Sequence, residues 1–314
     1  MTRVVMPPGG ARNRWSLAAA ALAGVGLFGW TVASVGVATL AEQLRALAPV
    51  LWFILVLAGA RFWLQATGWR LAMPTAQRPL WREVFGAVVA GEAAGYFAWG
   101  PVSREPMKAW LVGHHMPQPT ALKAAMVERF FYSLVATALI VAAIGFAAVR
   151  FHFEGRFAIG LVISTAIASC AKRYWTRFAG EHRRSRSIAA GLVAVAIAQE
   201  ASNLLEAYFV LAWLGAQPTL ASVVVLEGIS RLMNGAAQFI PGKLGVTEAA
   251  TTALAEGLRL GGAHGLSLAL ARRARSLLWG AVGIGLIAYR AATERSSTGD
   301  GPQAVMELHQ EAAA

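Results

Sequence analysis

The stretch Gln238-Phe239-Ile240-Pro241-Gly242-Lys243-Leu244-Gly245-Val246-Thr247-Glu248 sets two helix breakers, a cation and a carboxylate between apolar runs that are each too short to span a bilayer. Proline removes a backbone donor and glycine loosens the chain. At membrane depth the polar groups so freed are tolerated only when they are buried in protein or face a water-filled cavity. Interrupted apolar segments of this kind point to the binding site of a transporter.

The rest of the chain places that break in a membrane. Of 314 residues, 57% are hydrophobic and only 14% charged, and the mean hydropathy is +0.52. With roughly 20 residues needed per spanning helix, there is room for about six to eight helices and no sizeable soluble domain. The predicted fold is all-α: a polytopic integral membrane protein with about six spanning helices and two broken re-entrant segments. The single cysteine, Cys170, excludes an intramolecular disulfide and any Cys-based metal site. His114 and His115 stand beside Pro117 and Pro119 without further ligands in the sequence, so neither a metal nor a cofactor is expected.

A net charge of +12 raises the question of nucleic acid. The cations, however, flank apolar runs in short clusters and do not alternate with stacking aromatics, so no nucleic-acid partner is expected. Arg12 and Arg14, then Arg70, Arg78 and Arg82, then Lys172, Arg173, Arg177, Arg183, Arg184 and Arg186 read as topology signals. The positive-inside rule puts all three clusters on the cytoplasmic side, with both termini there, and the Ala- and Arg-rich composition suits a bacterial inner membrane.

On that basis residues 1–15 form a cytoplasmic segment, and Ser16 to Leu40 is a retained first helix. Ala48 to Thr67 returns. Val84 to Trp99 dips in and breaks at Gly100-Pro101, and Ala121 to Val149 crosses outward. After a short return over Ile159 to Ala171, Ile188 to Leu214 crosses, Val223 to Ile240 dips in and breaks at Pro241-Gly242, Val246 to Leu254 leaves, and His264 to Tyr289 ends the domain. Residues 291–314 have the composition of a disordered cytoplasmic tail. Halves 16–150 and 156–290 would then form an inverted-topology repeat, each with one broken segment. Pro101 followed by Glu105 answers Pro241 followed by Glu248, and Glu128-Arg129 answers Arg272-Arg273.

The chemistry belongs where charge is expensive. A charge at the centre of a spanning helix costs at least about 2.5 to 3.5 kcal/mol on insertion scales. Glu92, Glu128, Arg129, Glu200, Glu206, Glu227, Arg231, Arg272 and Arg273 all lie near apolar centres and demand partners or a wet cavity. Gln199, Glu200, Asn203 and Glu206 form one polar stripe at helical spacing; Glu227, Arg231, Asn234 and Gln238 form another, with an i, i+4 Glu227–Arg231 pair within reach. Such stripes either glue helices together or line a site. Arg104, Lys108 and Lys243 stand at broken-helix ends, where backbone amides and a cation together hold an anion, or where a long side chain snorkels to the interface.

The chain resembles the membrane domain of lysylphosphatidylglycerol synthases and their stand-alone flippase-like relatives, including hopanoid-associated members. The residues that carry the likeness are Gly91-Glu92 through Pro101, Ser103-Arg104-Glu105-Pro106-Met107-Lys108-Ala109, Val127-Glu128-Arg129, and Pro241-Gly242-Lys243-Leu244-Gly245-Val246-Thr247-Glu248-Ala249. It runs from Ser16 to Arg290. Lys243 departs from the Gly more usual there. The resemblance implies movement or binding of lipids, with Pro241, Gly242, Gly245 and Glu248 in the best-marked element, and it does not imply aminoacyl transfer.

The substrate-binding candidates are therefore Glu92, Arg104, Glu105, Lys108, Glu128 and Arg129 in the first half. In the second they are Glu227, Arg231, Asn234, Pro241, Gly242, Lys243, Gly245 and Glu248. The expected function is a lipid flippase or transporter, not an enzyme, with membrane lipids as partners and an anionic head group held between broken helices. Two alternatives remain: a membrane transferase using Glu92 or Glu248 as general base, and a scaffold for a neighbouring lipid-biosynthesis enzyme.

Overall fold

The computed structural model describes residues 37–97, 101–151, 186–236 and 245–299. Among them there are eight helices: α1 (Val37–Ala72), α2 (Trp81–Phe97), α3 (Pro101–Leu111), α4 (Gln118–Phe151), α5 (Arg186–Trp213), α6 (Leu220–Ala236), α7 (Val246–Gly257) and α8 (Gly262–Gly299), with a 3-10 turn at Thr75–Gln77. No strand occurs among the described residues. The expected first run up to Gly36, the return over 159–171, Cys170, the break residues Pro241, Gly242 and Lys243, and residues 300–314 lie outside them. Helix α8 continues to Gly299, so the first nine residues of the stretch with tail-like composition are helical.

Three of these helices contain segments long and apolar enough to cross a membrane: Arg45–Ala72, Gln118–Ala147 and Ser187–Trp213. They also present Trp52, Val56, Phe146, Ile197, Leu205 and Trp213 outward. Large apolar side chains on the outside, with charge on the inside, invert the pattern of a water-soluble bundle and match a lipid solvent.

The helix pairings repeat. If α1, α2, α3 and α4 are exchanged with α5, α6, α7 and α8, every major packing pair maps onto another: α2 on α8 becomes α6 on α4, α2 on α3 becomes α6 on α7, and α1 on α5 maps onto itself. Both α2 and α6 have 17 residues. Counted from the starts of α4 and α8, Glu128-Arg129 and Arg272-Arg273 fall at the same positions, as the sequence echo predicts.

The correspondence extends to the closest helix contacts. A Cβ on Gly283 of α8 would stand 2.7 Å from the Val89 carbonyl oxygen and 2.6 Å from Ala93 of α2. At the matching crossing, a Cβ on Gly228 of α6 would stand 3.1 Å from the Leu139 carbonyl oxygen of α4. Each crossing thus uses one glycine so that two backbones can touch, which is how helices pack without hydrophobic drive. Gly283→Leu is expected to destabilise the fold by about 1 to 3 kcal/mol through overpacking, seen as a lower melting temperature in detergent. Gly285→Leu, where a Cβ meets nothing within 4 Å, leaves the melting temperature unchanged.

Two apolar clusters lie along α1. Leu47, Val50 and Ile54 pack with α5, α6, α7 and α8. Ala66, Trp69 and Met73 pack with α2, the α3–α4 region and α4, and the Trp69 indole Nε1 donates to the Ala121 carbonyl at 3.2 Å. Between them α1 carries Arg61 and Gln65, so the centre of the fold is polar.

Candidate functional site

A cavity of about 230 Å³ opens in this polar layer. Helix α1 contributes Arg61 and Gln65; α2, Glu92 and Tyr96; α3, Arg104; α4, Arg129 and Tyr132; α5, Gln199 and Asn203; and α8, Arg275 and Trp279. Long helices supply most of the wall, so the cavity rests on rigid elements.

Glu206, fully buried on α5, gathers three guanidinium groups: Arg272 Nε at 2.9 Å, Arg61 at 3.5 Å, and Arg275. Arg61 also donates to Asn203 Oδ1, and Arg272 reaches Glu227 at 2.8 Å. Arg231 donates to the Tyr132 hydroxyl at 2.8 Å and pairs with Glu200 at 2.5 Å. Arg104 pairs with Glu92 at 2.8 Å. Arg129 makes no ion pair among the described residues; its guanidinium lies 4.9 Å from the Tyr132 ring centroid, a cation–π contact. The lining therefore sets Arg61, Arg104, Arg129 and Arg275 against the one lining carboxylate of Glu92.

The sequence-predicted residues divide three ways. Glu92, Arg104 and Arg129 line the cavity. Glu105, Lys108 and Glu128 lie behind it. Lys108 is fully buried 2.7 Å from Glu105, without hydrogen-bond alignment, and 5.2 Å from the Trp69 ring; any Cβ on Gly91 would strike its stem. The third group, Asn234, Gly245 and Glu248, ties α6 to α7 and shapes the start of α7. Asn234 Oδ1 accepts from Thr247 Oγ1 at 2.8 Å, joining α6 to α7. Gly245, at φ +80°, takes a backbone shape suited to glycine and donates its N–H to Glu248 at 2.9 Å. Glu248 thereby caps the start of α7 and also accepts from Arg273 Nε at 2.5 Å. Pro241, Gly242 and Lys243 lie outside the described residues.

The i, i+4 Glu227–Arg231 pair does not form, because Arg272 from α8 takes Glu227 and Glu200 from α5 takes Arg231. Sequence reasoning missed Arg61, Gln65, Tyr96, Tyr132 and Arg275 as cavity residues. Arg61 carried a usable signal, an arginine inside an apolar span. So did Arg275, three residues beyond Arg272 on the same helix.

Away from the cavity, Glu83 at the start of α2, His114 and His115 in the α3–α4 turn, and Arg290 near the end of α8 meet. His115 Nε2 is 2.7 Å and His114 Nε2 3.9 Å from Glu83, and Arg290 donates to His114 Nδ1 at 2.8 Å. Among the described residues these two histidines and Glu83 are the one group close enough for a metal ion. With Nδ1 accepting from Arg290, the proton of neutral His114 sits on Nε2, facing Glu83 where a cation would have to bind, so the arrangement disfavours a metal.

Burial works to raise Glu83, but the Leu80 backbone hydrogen bond and the charge of His115 outweigh it and hold its carboxyl below its ordinary value. Burial lowers His114, and His115 and Arg290 add to the effect. Both groups are depressed, so the stability they contribute is full above the ordinary histidine value of 6.5 and is lost on acidification, His114 first. The melting temperature in detergent is expected to fall from about pH 7 to about pH 5, and less so in His114→Gln.

Buried arginine–glutamate pairs around a polar cavity, on helices with apolar exteriors, describe a membrane protein. No curated protein and no solved structure matches the chain. The family described as the lysylphosphatidylglycerol synthase TM region matches residues 16–285 of the 314, and the chain belongs to that family.

Proposed function

We propose that this protein is a lipid flippase or lipid transporter of the bacterial inner membrane, moving an anionic lipid whose head group passes through the central cavity. The observation that carries the reading is Arg129: a guanidinium on the cavity wall with no carboxylate partner among the described residues, in a lining that already has more cations than anions. A phosphodiester would take charge-assisted, bidentate hydrogen bonds from it. Tyr96, Tyr132, Gln65 and Asn203 offer further polar atoms at the same depth, and acyl chains would trail between helices.

Membership of a family named for the membrane region of a phospholipid synthase supports a lipid substrate. The exchanged helix pairings support two halves that rock against each other around a fixed site, with the broken pairs α2–α3 and α6–α7 as the moving parts. The test is leaflet exchange of fluorescent phosphatidylglycerol and phosphatidylethanolamine in liposomes holding the purified protein. Protein-dependent exchange, faster for phosphatidylglycerol, is the expected result. No exchange of either lipid by folded protein overturns the reading.

A further inference from the structure

Glu128 is the buried acid that the transport reading leaves unused. Its residue is 3% exposed, it makes no ion pair among the described residues, and its Oε2 has no hydrogen-bond partner. A lone ionised carboxylate so placed is expensive, and it becomes cheap only when a partner charge is near or a proton is bound. The stem packs on α1, with its Cγ 3.2 Å from where a Cβ on Gly68 would stand. Gln65, one turn earlier on the same helix face, already lines the cavity. Glu128 therefore stands beside the cavity wall, adjacent in sequence to the lining residue Arg129.

The charged groups around it are Lys108 and Glu105 from α3, Glu92 from α2 and the adjacent Arg129. From α1 it meets the uncharged Gly68, and α5 packs Leu192 and Val195 against the same glycine. Glu200 of α5 and the Arg231 and Glu227 of α6 are committed to one another and to Arg272. Within the α2–α3–α4 group, Arg104 has Glu92 and Lys108 has Glu105. The two left over are Glu128 and Arg129, adjacent in sequence and opposite in charge.

We infer that Glu128 is a proton-binding site whose protonation accompanies anion binding at Arg129, so that movement of the anionic head group is coupled to a proton. The inference rests on the transport reading. In the empty site Lys108 and Arg129 together offset Glu128. An anion that engages the Arg129 guanidinium withdraws that part of the offset, and the carboxylate accepts a proton from solution, forming one O–H bond; on release the proton returns to solution. By linkage the effect is reciprocal: a proton on Glu128 strengthens anion binding by the same factor by which the anion strengthens proton binding. One anion and one proton together add no net charge to the buried site.

Two measurements test this. In weakly buffered detergent solution, adding short-chain phosphatidylglycerol to wild-type protein should take up about one proton per protein, and Glu128→Gln should take up none. No uptake by wild-type protein at saturating lipid, at neutral or mildly alkaline pH, overturns the inference. In liposomes, wild-type exchange of fluorescent phosphatidylglycerol should slow as pH rises, up to about tenfold per unit, whereas Glu128→Gln, fixed in the neutral form, should be insensitive to pH and faster than wild type at the alkaline end. Exchange by wild-type protein that ignores pH, or a pH profile kept unchanged in the variant, also overturns it. These results are distinct from failure of the transport reading, which is the absence of exchange at every pH.

Discussion

Arg129→Ala is expected to lower phosphatidylglycerol exchange in liposomes by about tenfold to a hundredfold, while the protein still elutes as folded protein, with Glu128 holding a proton once the neighbouring charge is gone. The magnitude follows from losing charge-assisted hydrogen bonds worth about 1.5 to 3 kcal/mol, at tenfold per 1.4 kcal/mol. The intact fold follows from geometry. The other guanidiniums described on the wall hold carboxylates, but Arg129 pairs with none among the described residues and touches the face of Tyr132. Arg129→Lys keeps the charge and loses the planar fork, and an intermediate rate is expected. A folded Arg129→Ala protein that exchanges phosphatidylglycerol at the wild-type rate would remove the observation on which the proposed function stands.

The second large effect is on stability. Glu206→Gln leaves Arg61, Arg272 and Arg275 facing one another around a neutral amide at a fully buried position. Breaking a buried pair from one side costs about 3 to 5 kcal/mol, because the orphaned charge remains. Here two guanidiniums, Arg61 and Arg275, lose the one carboxylate they pair with, while Arg272 keeps Glu227 and Arg61 keeps its hydrogen bond to Asn203. The variant is expected to aggregate on detergent extraction or to melt about six to twenty degrees lower, at roughly 2 to 4 degrees per kcal/mol. Thermal shift read by size-exclusion fluorescence checks it. Glu92→Gln is the contrast, since Glu92 borders the cavity and holds one partner, Arg104. Equal melting temperatures for the two variants would show that convergence on Glu206 contributes nothing beyond an ordinary pair.

Much of this was legible in the residues, for physical reasons that also set the limit. Apolar length and the charge flanks report on how each segment meets the bilayer, so the all-α membrane class and the Glu128-Arg129 and Arg272-Arg273 correspondence could be read in one dimension. Partner choice could not. Glu227 and Arg231 are spaced to meet each other, and each meets a different helix because tertiary packing brings a closer charge. Glu248 looked like a head-group ligand; it accepts from Gly245 and Arg273, and nothing in its spacing separates a cap from a ligand. Arg61 escaped notice because its neighbours are apolar, although that is the reason it stands out: only a polar interior permits it there.

The exchanged packing has a consequence for biosynthesis. Helix α2 rests on α8 and α6 on α4, so the main support of each of these two helices outside its own pair comes from the other half. As the chain leaves the ribosome, α2 and α3 must wait, with the Val89 and Ala93 surface uncovered, until the last helix of the domain arrives with Gly283. Closure of this seam is therefore held back until α8 has been made, and a chain cut short before Gly262 would expose its first-half seam to whatever lipid, chaperone or protease reaches it. The interlock makes the arrival of α8 the checkpoint for the bundle.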